Sequence, residues 1–408
     1  MRVMPITCFR PTAERAGDFS APPYDVFDDA QARAYVAEHP DSFMAIDRPE
    51  TAFGPEQDPY APEVYQHALE LLRERVQDQT LLREESECLF VYRMSVDGHD
   101  QTGILAAVAV DDYLEGAALR HEQVREEKVA DRKRHMETVG AQTSPSLLIY
   151  PDDPTIDMLV GLACSATPLY DFTDEDGVRH TVWRLAREAA VEALCATFGQ
   201  VPRSYVADGH HRAAASARIC QEAREAGKSA GASESFLAIL YPASAMRVLA
   251  YNRVVSDAAG MSEDELVEAI RAAGVEVGPA QKEAFEPAEE GTVSMYAFGS
   301  WRALRFLDVP AADDDPTAAL DVSLLQRRVL APVLGIEDPT ADKRIRFVSG
   351  AEGTQALERL AGTEGVAFFM YPTSVEALMR VSDAGLLMPP KSTWFAPKPR
   401  SGLFLRKI

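Results

Sequence analysis

Apolar residues along this chain recur with two periods, and the switches between them outline the fold. In the segment 61–79, Val64, Ala68, Leu71, Leu72 and Val76 are spaced for one face of a helix. The runs 88–95 and 101–110 are β-prone instead, and Asp97-Gly98 between them predicts a tight hairpin, whose central residues need positive φ. Gly103 interrupts the second run, which predicts a close approach of another segment to the backbone. Further strands are predicted at 146–150, 182–185, 204–206, 236–241 and 249–255, with helices at 28–38 and 188–198. Ser262 and Glu265 have capping-box spacing at the head of a helix reaching about Ala273. After a polar loop at 278–291, a hairpin follows from strands 292–298 and 301–307 around Gly299-Ser300. Helix 321–334, strand 344–348, helix 353–361, strand 366–371 and helix 373–383 complete a mixed α/β (α+β) pattern. The expected division is a first domain at 1–256, a C-terminal α/β domain at 257–384, and a tail at 385–408 that docks back toward the first.

Composition narrows the class. With 408 residues, 46% hydrophobic and 26% charged, the chain can bury a full core. No run approaches the ~18 apolar residues that cross a bilayer, and Met1 to Ile6 lacks a secretory apolar region, so the cytoplasm is the expected location and no membrane partner is expected. Cys8, Cys88, Cys164, Cys195 and Cys220 form no CxxC pair, which argues against a disulfide framework and a structural zinc site. A net charge of −23 repels polyanions, so nucleic acid is not an expected partner. Two basic islands stand against that background: Arg125, Lys128, Arg132, Lys133 and Arg134, and the tail with Lys391, Lys398, Arg400, Arg406 and Lys407. They suit a small phosphate-bearing ligand or an ordinary solvated surface.

The densest candidate chemistry is Ser204-Tyr205-Val206-Ala207-Asp208-Gly209-His210-His211-Arg212, a strand running into the alanine-rich helix that follows. Gly209 permits the turn, and a helix start offers unpaired N–H groups to a phosphate with Arg212 as a bidentate partner. Asp208 suits a magnesium ion and His210 or His211 a proton transfer. Asp and Gly also form ordinary turns, and a His pair can merely cap a helix. Elsewhere, helical spacing would align His121, Arg125, Lys128 and Arg132, with Glu122 beside them, and Pro22-Pro23 holds Tyr24 and Asp25 in an extended segment. In the tail, Lys391, Ser392, Thr393 and Lys398 flank Trp394 and Phe395 between prolines. Either those polar groups return to the elbow and hold phosphate oxygens, or the two aromatics anchor the tail on a core. No GxxxxGK[ST] run is present, which excludes a P-loop kinase.

Pro22-Pro23-Tyr24-Asp25, His121-Glu122, Asp131-Arg132, Ala207-Asp208-Gly209-His210-His211-Arg212 and Met388-Pro389-Pro390-Lys391-Ser392-Thr393, in this order, resemble a bacterial and archaeal family of unknown function numbered 1015. That family is similar to the ParB and sulfiredoxin fold, whose members bind nucleotide phosphates at a turn before a helix and include ATP- or ADP-dependent free serine kinases. The resemblance implies a ParB/sulfiredoxin-like mixed sheet and a nucleotide-dependent small-molecule phosphotransferase, with ATP or ADP and magnesium as cofactors and a serine-like acceptor. On this reading His210, His211, Asp208 and Glu122 carry the chemistry, and Asp208 and Glu122 hold the metal. Gly209, Arg212, His121, Arg132, Tyr24, Asp25, Lys391, Ser392 and Thr393 bind substrate or phosphate. A phosphoester hydrolase acting on phosphoserine and a non-catalytic nucleotide-binding regulator are the alternatives. The chain departs from the family pattern at Val124, where a hydroxyl is expected, and at Ala213, where an aromatic is expected.

Overall fold

The computed structural model describes residues 1–408 and is mixed α/β throughout. The chain forms two compact units, Met1–Met246 together with Pro397–Ile408, and Arg247–Ala396. The boundaries therefore fall at 246/247 and 396/397, where the sequence pattern suggested 256 and 384, and the tail divides between the units.

The first unit is organised on a nine-stranded sheet: β1 (Val3–Met4), β2 (Leu89–Val96), β3 (His99–Ala109), β4 (Ala118–Arg120), β5 (Ser146–Tyr150), β6 (Tyr170–Thr173), β7 (Arg179–Leu185), β8 (Ser204–Asp208) and β9 (Ser235–Pro242). Their order is β4-β8-β5-β9-β3-β2-β7-β6, with β1 also on β3. Only β4 with β8 and β5 with β9 run parallel. The predicted β2–β3 hairpin forms, and Asp97 and Gly98 turn it with φ of 53° and 75°. Gly103 lies against the Tyr241 ring so closely that a Cβ there would sit 2.5 Å from it, as the interrupted strand pattern foretold. Helices α1 (Asp29–Glu38), α2 (Pro62–Gln77), α3 (Glu126–Val139), α4 (Pro154–Cys164), α5 (Glu188–Phe198) and α6 (His210–Glu225) belong to this unit. Ala213 and Ala217 of α6 join the apolar core with Leu148, Val206 and Leu240, since small side chains let the helix lie close to the strands.

One expectation fails here. The helical spacing of His121 and Arg125 is not realised, because α3 begins only at Glu126, with Arg125 extended at its cap. Pairing of Ala118–Arg120 with β8 claims the preceding residues as strand, and the intervening segment becomes loop. The chain's final residues return to the first unit. Arg406 and Lys407 pair with Gln142 and Ala141, Phe404 meets Phe90 at 4.6 Å, and Arg400 donates to Ser20 and pairs with Asp174 at 3.2 Å.

The second unit has a six-stranded, wholly antiparallel sheet formed by β10 (Tyr251–Val255), β11 (Val275–Val277), β12 (Thr292–Ala297), β13 (Ser300–Phe306), β14 (Ile345–Ser349) and β15 (Val366–Met370), ordered β11-β13-β12-β15-β10-β14. The strand predicted at 249–255 thus opens this unit; it does not complete the first. Helices α7 (Glu263–Ala272), α8 (Gly353–Ala361) and α9 (Val375–Asp383) accompany the sheet, and Glu265 accepts the Ser262 N–H at 2.9 Å in the expected capping box. The helix predicted at 321–334 is α-helical only over Asp321–Leu325 and then widens into π-type turns over Gln326–Leu330.

Candidate functional site

Parallel pairing explains why two distant segments meet. Val206 of β8 sits opposite Arg120 of β4, so both chains leave the sheet at the same end, with His121 immediately after β4. The register of β8 slips between Val206 and Asp208, a bulge of the kind that re-aims a side chain. Gly209 then turns the chain with φ of 81°, and α6 starts at His210. The first intrahelical bond runs from the Ala213 N–H to the Gly209 carbonyl, which leaves the N–H groups of His210, His211 and Arg212 without helical acceptors.

Gly209 serves a second purpose. A Cβ at this position would stand 2.7 Å from both Nε and Nη2 of Arg212, so the guanidinium lies where any larger residue would project. Arg212 is only 7% exposed, and its enclosed Nε bonds to no group of the chain. A buried donor left in that state costs about 1–3 kcal/mol, more when charged, unless a ligand accepts from it. Asp208 does not pair with it. The Asp208 carboxylate accepts the Gly209 N–H at 2.6 Å and pairs with Lys398 at 2.8 Å. Burial alone would raise the pKa of Asp208, but Lys398 and then Arg212 hold it well below the usual carboxylate range. Lys398 is opposed by burial in turn, yet Asp208 and Asp25 raise it.

Three imidazoles surround this turn, and each has a defined environment. His121 donates Nδ1–H to the Val206 carbonyl at 2.8 Å, so its Nε2 carries the lone pair, and burial pushes its pKa down to about 4. His210 packs edge-to-face on His121 with ring centroids 4.5 Å apart; burial and then His121 keep it neutral. Its Nδ1 faces Glu122 Oε2 at 3.5 Å, and its enclosed Nε2 is bonded to nothing. His211 accepts the Arg125 N–H on Nε2 at 3.1 Å; burial and then Arg125 lower its pKa, while Asp25 opposes them.

Arg132 is more committed than its sequence position suggested. Its guanidinium pairs with Asp131 at 2.8 Å and Asp47 at 3.4 Å and lies 4.2 Å over the Tyr24 ring. Asp131 also accepts from the Tyr65 hydroxyl at 2.8 Å. The Arg132 guanidinium therefore fixes Tyr24 against the site, and burial pushes the Tyr24 hydroxyl up to about 12. Asp25 is exposed, and its charge acts on both Lys398 and His211. Asp47 and Tyr65 escaped the sequence reading, since a lone acid after Met44-Ala45-Ile46 and a tyrosine on an amphipathic helix give no local sign of a shared guanidinium.

Lys391, Ser392 and Thr393 belong to the second unit. There the Lys391 carbonyl accepts from Arg253 at 3.0 Å, its ammonium lies over Tyr251, and Ser392 donates to the Pro389 carbonyl at 2.6 Å. Thr393 is half-buried, and next to it Trp394 meets Tyr251 edge-on at 5.2 Å.

Magnesium at Asp208 is a poor fit. An ammonium and an amide already hold its two oxygens, whereas a hard cation needs oxygen ligands free to turn toward it. The one tight set of nitrogen and carboxylate ligand atoms is instead His121, Glu122 and His210, whose donor atoms lie within 4.8 Å of one another.

The architecture defines a two-unit α/β protein whose first unit holds the elbow at Asp208 to Arg212, with Arg212 buried. The chain belongs to the family described as Protein of unknown function (DUF1015), whose model matches residues 3–323. No curated protein matches it. Similar solved structures include SbnI with a C-terminal truncation from Staphylococcus aureus, at 15% identity over 74% of this chain and 87% of that one, with a TM-score of 0.38. A free serine kinase in complex with AMP is 15% identical over 72% of this chain and 87% of its own, with a TM-score of 0.35. A conserved hypothetical protein from Pyrococcus furiosus is 14% identical over 74% and 95%, with a TM-score of 0.34.

Proposed function

We propose that this chain is a cytoplasmic, nucleotide-dependent phosphotransferase acting on the hydroxyl of a small metabolite such as free serine. The observation that carries the reading is the Arg212 guanidinium, buried beside Gly209 at the start of α6 with its Nε bonded to nothing. Such a donor, beside three N–H groups at the positive end of a 16-residue helix, is complementary to a phosphate. The motif resemblance to nucleotide-dependent serine kinases supports a nucleotide as the bearer of that phosphate. ATP or ADP, when bound, supplies the phosphoryl group.

The residues divide the work by chemistry. Arg212 and the N–H groups of His210 to Arg212 hold phosphate oxygens and neutralise charge that builds on them, the main demand of phosphoryl transfer. Glu122, on the exposed side of the imidazole pair, accepts the proton of the attacking hydroxyl. His211, neutral and bonded to the Arg125 backbone through Nε2, presents Nδ1–H as a donor to substrate. Tyr24, braced by Arg132, forms a wall.

The test is to incubate the purified protein with ATP or ADP, a divalent cation, L-serine and a pool of other hydroxyl metabolites, and to read products by mass spectrometry. A phosphorylated product that vanishes in Arg212→Ala is expected. Nucleotide binding without turnover would point to a regulator, and phosphate release from phosphoserine alone to a hydrolase; either refutes the transferase.

A further inference from the structure

We infer that His121, Glu122 and His210 form a binding site for a single imidazole-preferring divalent cation of the zinc or cobalt class. The set shares Glu122 with the proposed transferase site, but binding of the ion is read with no nucleotide present.

The argument begins with how the chain prepares each ligand. His121 gives Nδ1–H to the Val206 carbonyl, a bond that fixes the ring and leaves Nε2 with its lone pair outward. A backbone carbonyl on the far nitrogen is the usual orienting contact of a metal-bound histidine. The enclosed Nε2 of His210 has no hydrogen-bond partner within the chain, although the side chain is only 2% exposed. A buried imidazole in that state lacks the partners that buried polar groups ordinarily have.

Spacing agrees with the chemistry. The His210 Nδ1 to Glu122 Oε2 separation is 3.5 Å, and two ligands each ~2.1 Å from a tetrahedral ion stand about 3.4 Å apart. All three donor atoms fall within 4.8 Å of one another, so small side-chain rotations close the set. Two imidazoles and one carboxylate select against magnesium, which takes oxygen ligands, and favour zinc-like ions. Three protein ligands leave a coordination position open to water or substrate. The placement follows from the fold, because His121 and His210 leave parallel strands β4 and β8 at the same end, and the bulge in β8 and the turn at Gly209 bring His210 onto His121. Asp208, engaged by Lys398 and Gly209, is not part of the set.

The experiment uses the full chain stripped with chelator and then titrated with cobalt(II), with zinc by calorimetry and with magnesium as control. One equivalent of cobalt should produce visible absorption bands with a nitrogen-ligated signature, zinc should displace it, and magnesium should not. Glu122→Gln, half-exposed and therefore tolerated by the fold, should weaken cobalt binding at least about 10-fold, since even outer-shell changes cost 10–100-fold. His210→Asn should abolish the bands, with circular dichroism checking that the chain is folded, and His67→Asn, on α2 and not a member of the set, should leave them unchanged. No stoichiometric cobalt binding by the wild-type chain would overturn the inference. So would binding that is untouched by Glu122→Gln and His210→Asn.

Discussion

Replacing Gly209 by alanine separates two consequences that the elbow combines. The first is conformational: at φ of 81° an L-residue is strained, and the left-handed region costs roughly 1–2 kcal/mol for a residue with a Cβ. The second is steric and directed at one group. The new methyl would stand 2.7 Å from Nε and Nη2 of Arg212, and because those atoms end a flexible side chain, the guanidinium moves and the backbone holds. The fold should survive with a melting temperature lowered by several degrees, given about 2–4 °C per kcal/mol for a unit of this size. Phosphate binding should suffer far more. Losing one hydrogen bond to a charged group removes about 1.5–3 kcal/mol, or roughly 10- to 150-fold in Kd.

Thermal denaturation with and without ADP reads both effects at once. At a hundredfold excess over Kd, ADP should stabilise the wild-type chain by about 2.7 kcal/mol. Gly209→Ala should start lower and gain little at the same concentration, and Arg212→Ala should start near wild type and also gain little. An undiminished ADP shift in Gly209→Ala would show that the glycine-cradled guanidinium is not where phosphate binds. An unchanged baseline would refute the backbone argument.

Two further outcomes follow from titratable groups away from the elbow. Burial raises the Asp321 carboxyl to about 7 while it accepts the Gly291 N–H at 2.8 Å, so between the ordinary carboxyl value and pH 7 the folded chain binds more protons than the unfolded one. Stability of the second unit should therefore fall as pH rises from about 4 to 7, by up to about 4 kcal/mol, and Asp321→Asn should flatten that slope in urea titrations. All five cysteines are unpaired, and burial raises Cys88 to about 11 and Cys8 further. A thiol reagent at pH 8 should thus label the half-buried Cys164 and Cys195 first, as mass spectrometry of partly labelled protein would record.

What the sequence disclosed depended on whether the cause was local. The β2–β3 hairpin, the Ser262 capping box and the strand-turn-helix around Gly209 were readable because a turn, a cap and a φ above zero leave residue-type signatures. The helix Pro154–Cys164 and strand Tyr170–Thr173 were not anticipated. The strand is an edge element with Asp171 and Thr173 turned outward, so its short alternation is weak. His121 was recognised and given the wrong local structure, since only tertiary pairing with β8 makes its predecessors strand. For Asp208 the sequence suggests a metal ligand, because nothing near it in sequence reveals the ammonium that Pro397–Ile408 delivers.

That ammonium bears directly on whether an anion can enter the elbow of so acidic a chain. An unopposed Asp208 would repel phosphate and compete for Arg212, whose field it already feels. Lys398 at 2.8 Å cancels that charge, and the Gly209 N–H turns one carboxylate oxygen inward, so the guanidinium keeps its bonding capacity for a ligand. Lys398→Met removes the cancellation. Each partner's side chain is about one-fifth exposed, at 19% and 20%, so the destabilisation should lie at or below the low end of the roughly 3–5 kcal/mol seen when one member of a buried pair is lost. Adding Asp208→Asn should restore most of it. The same pair of variants should order ADP affinity in the same way, weakened in Lys398→Met and largely recovered in the double variant, by calorimetry at fixed ionic strength. If Lys398→Met binds ADP as tightly as wild type, Lys398 is only a strap for the C-terminal segment, and charge cancellation at Asp208 has no part in admitting the anion.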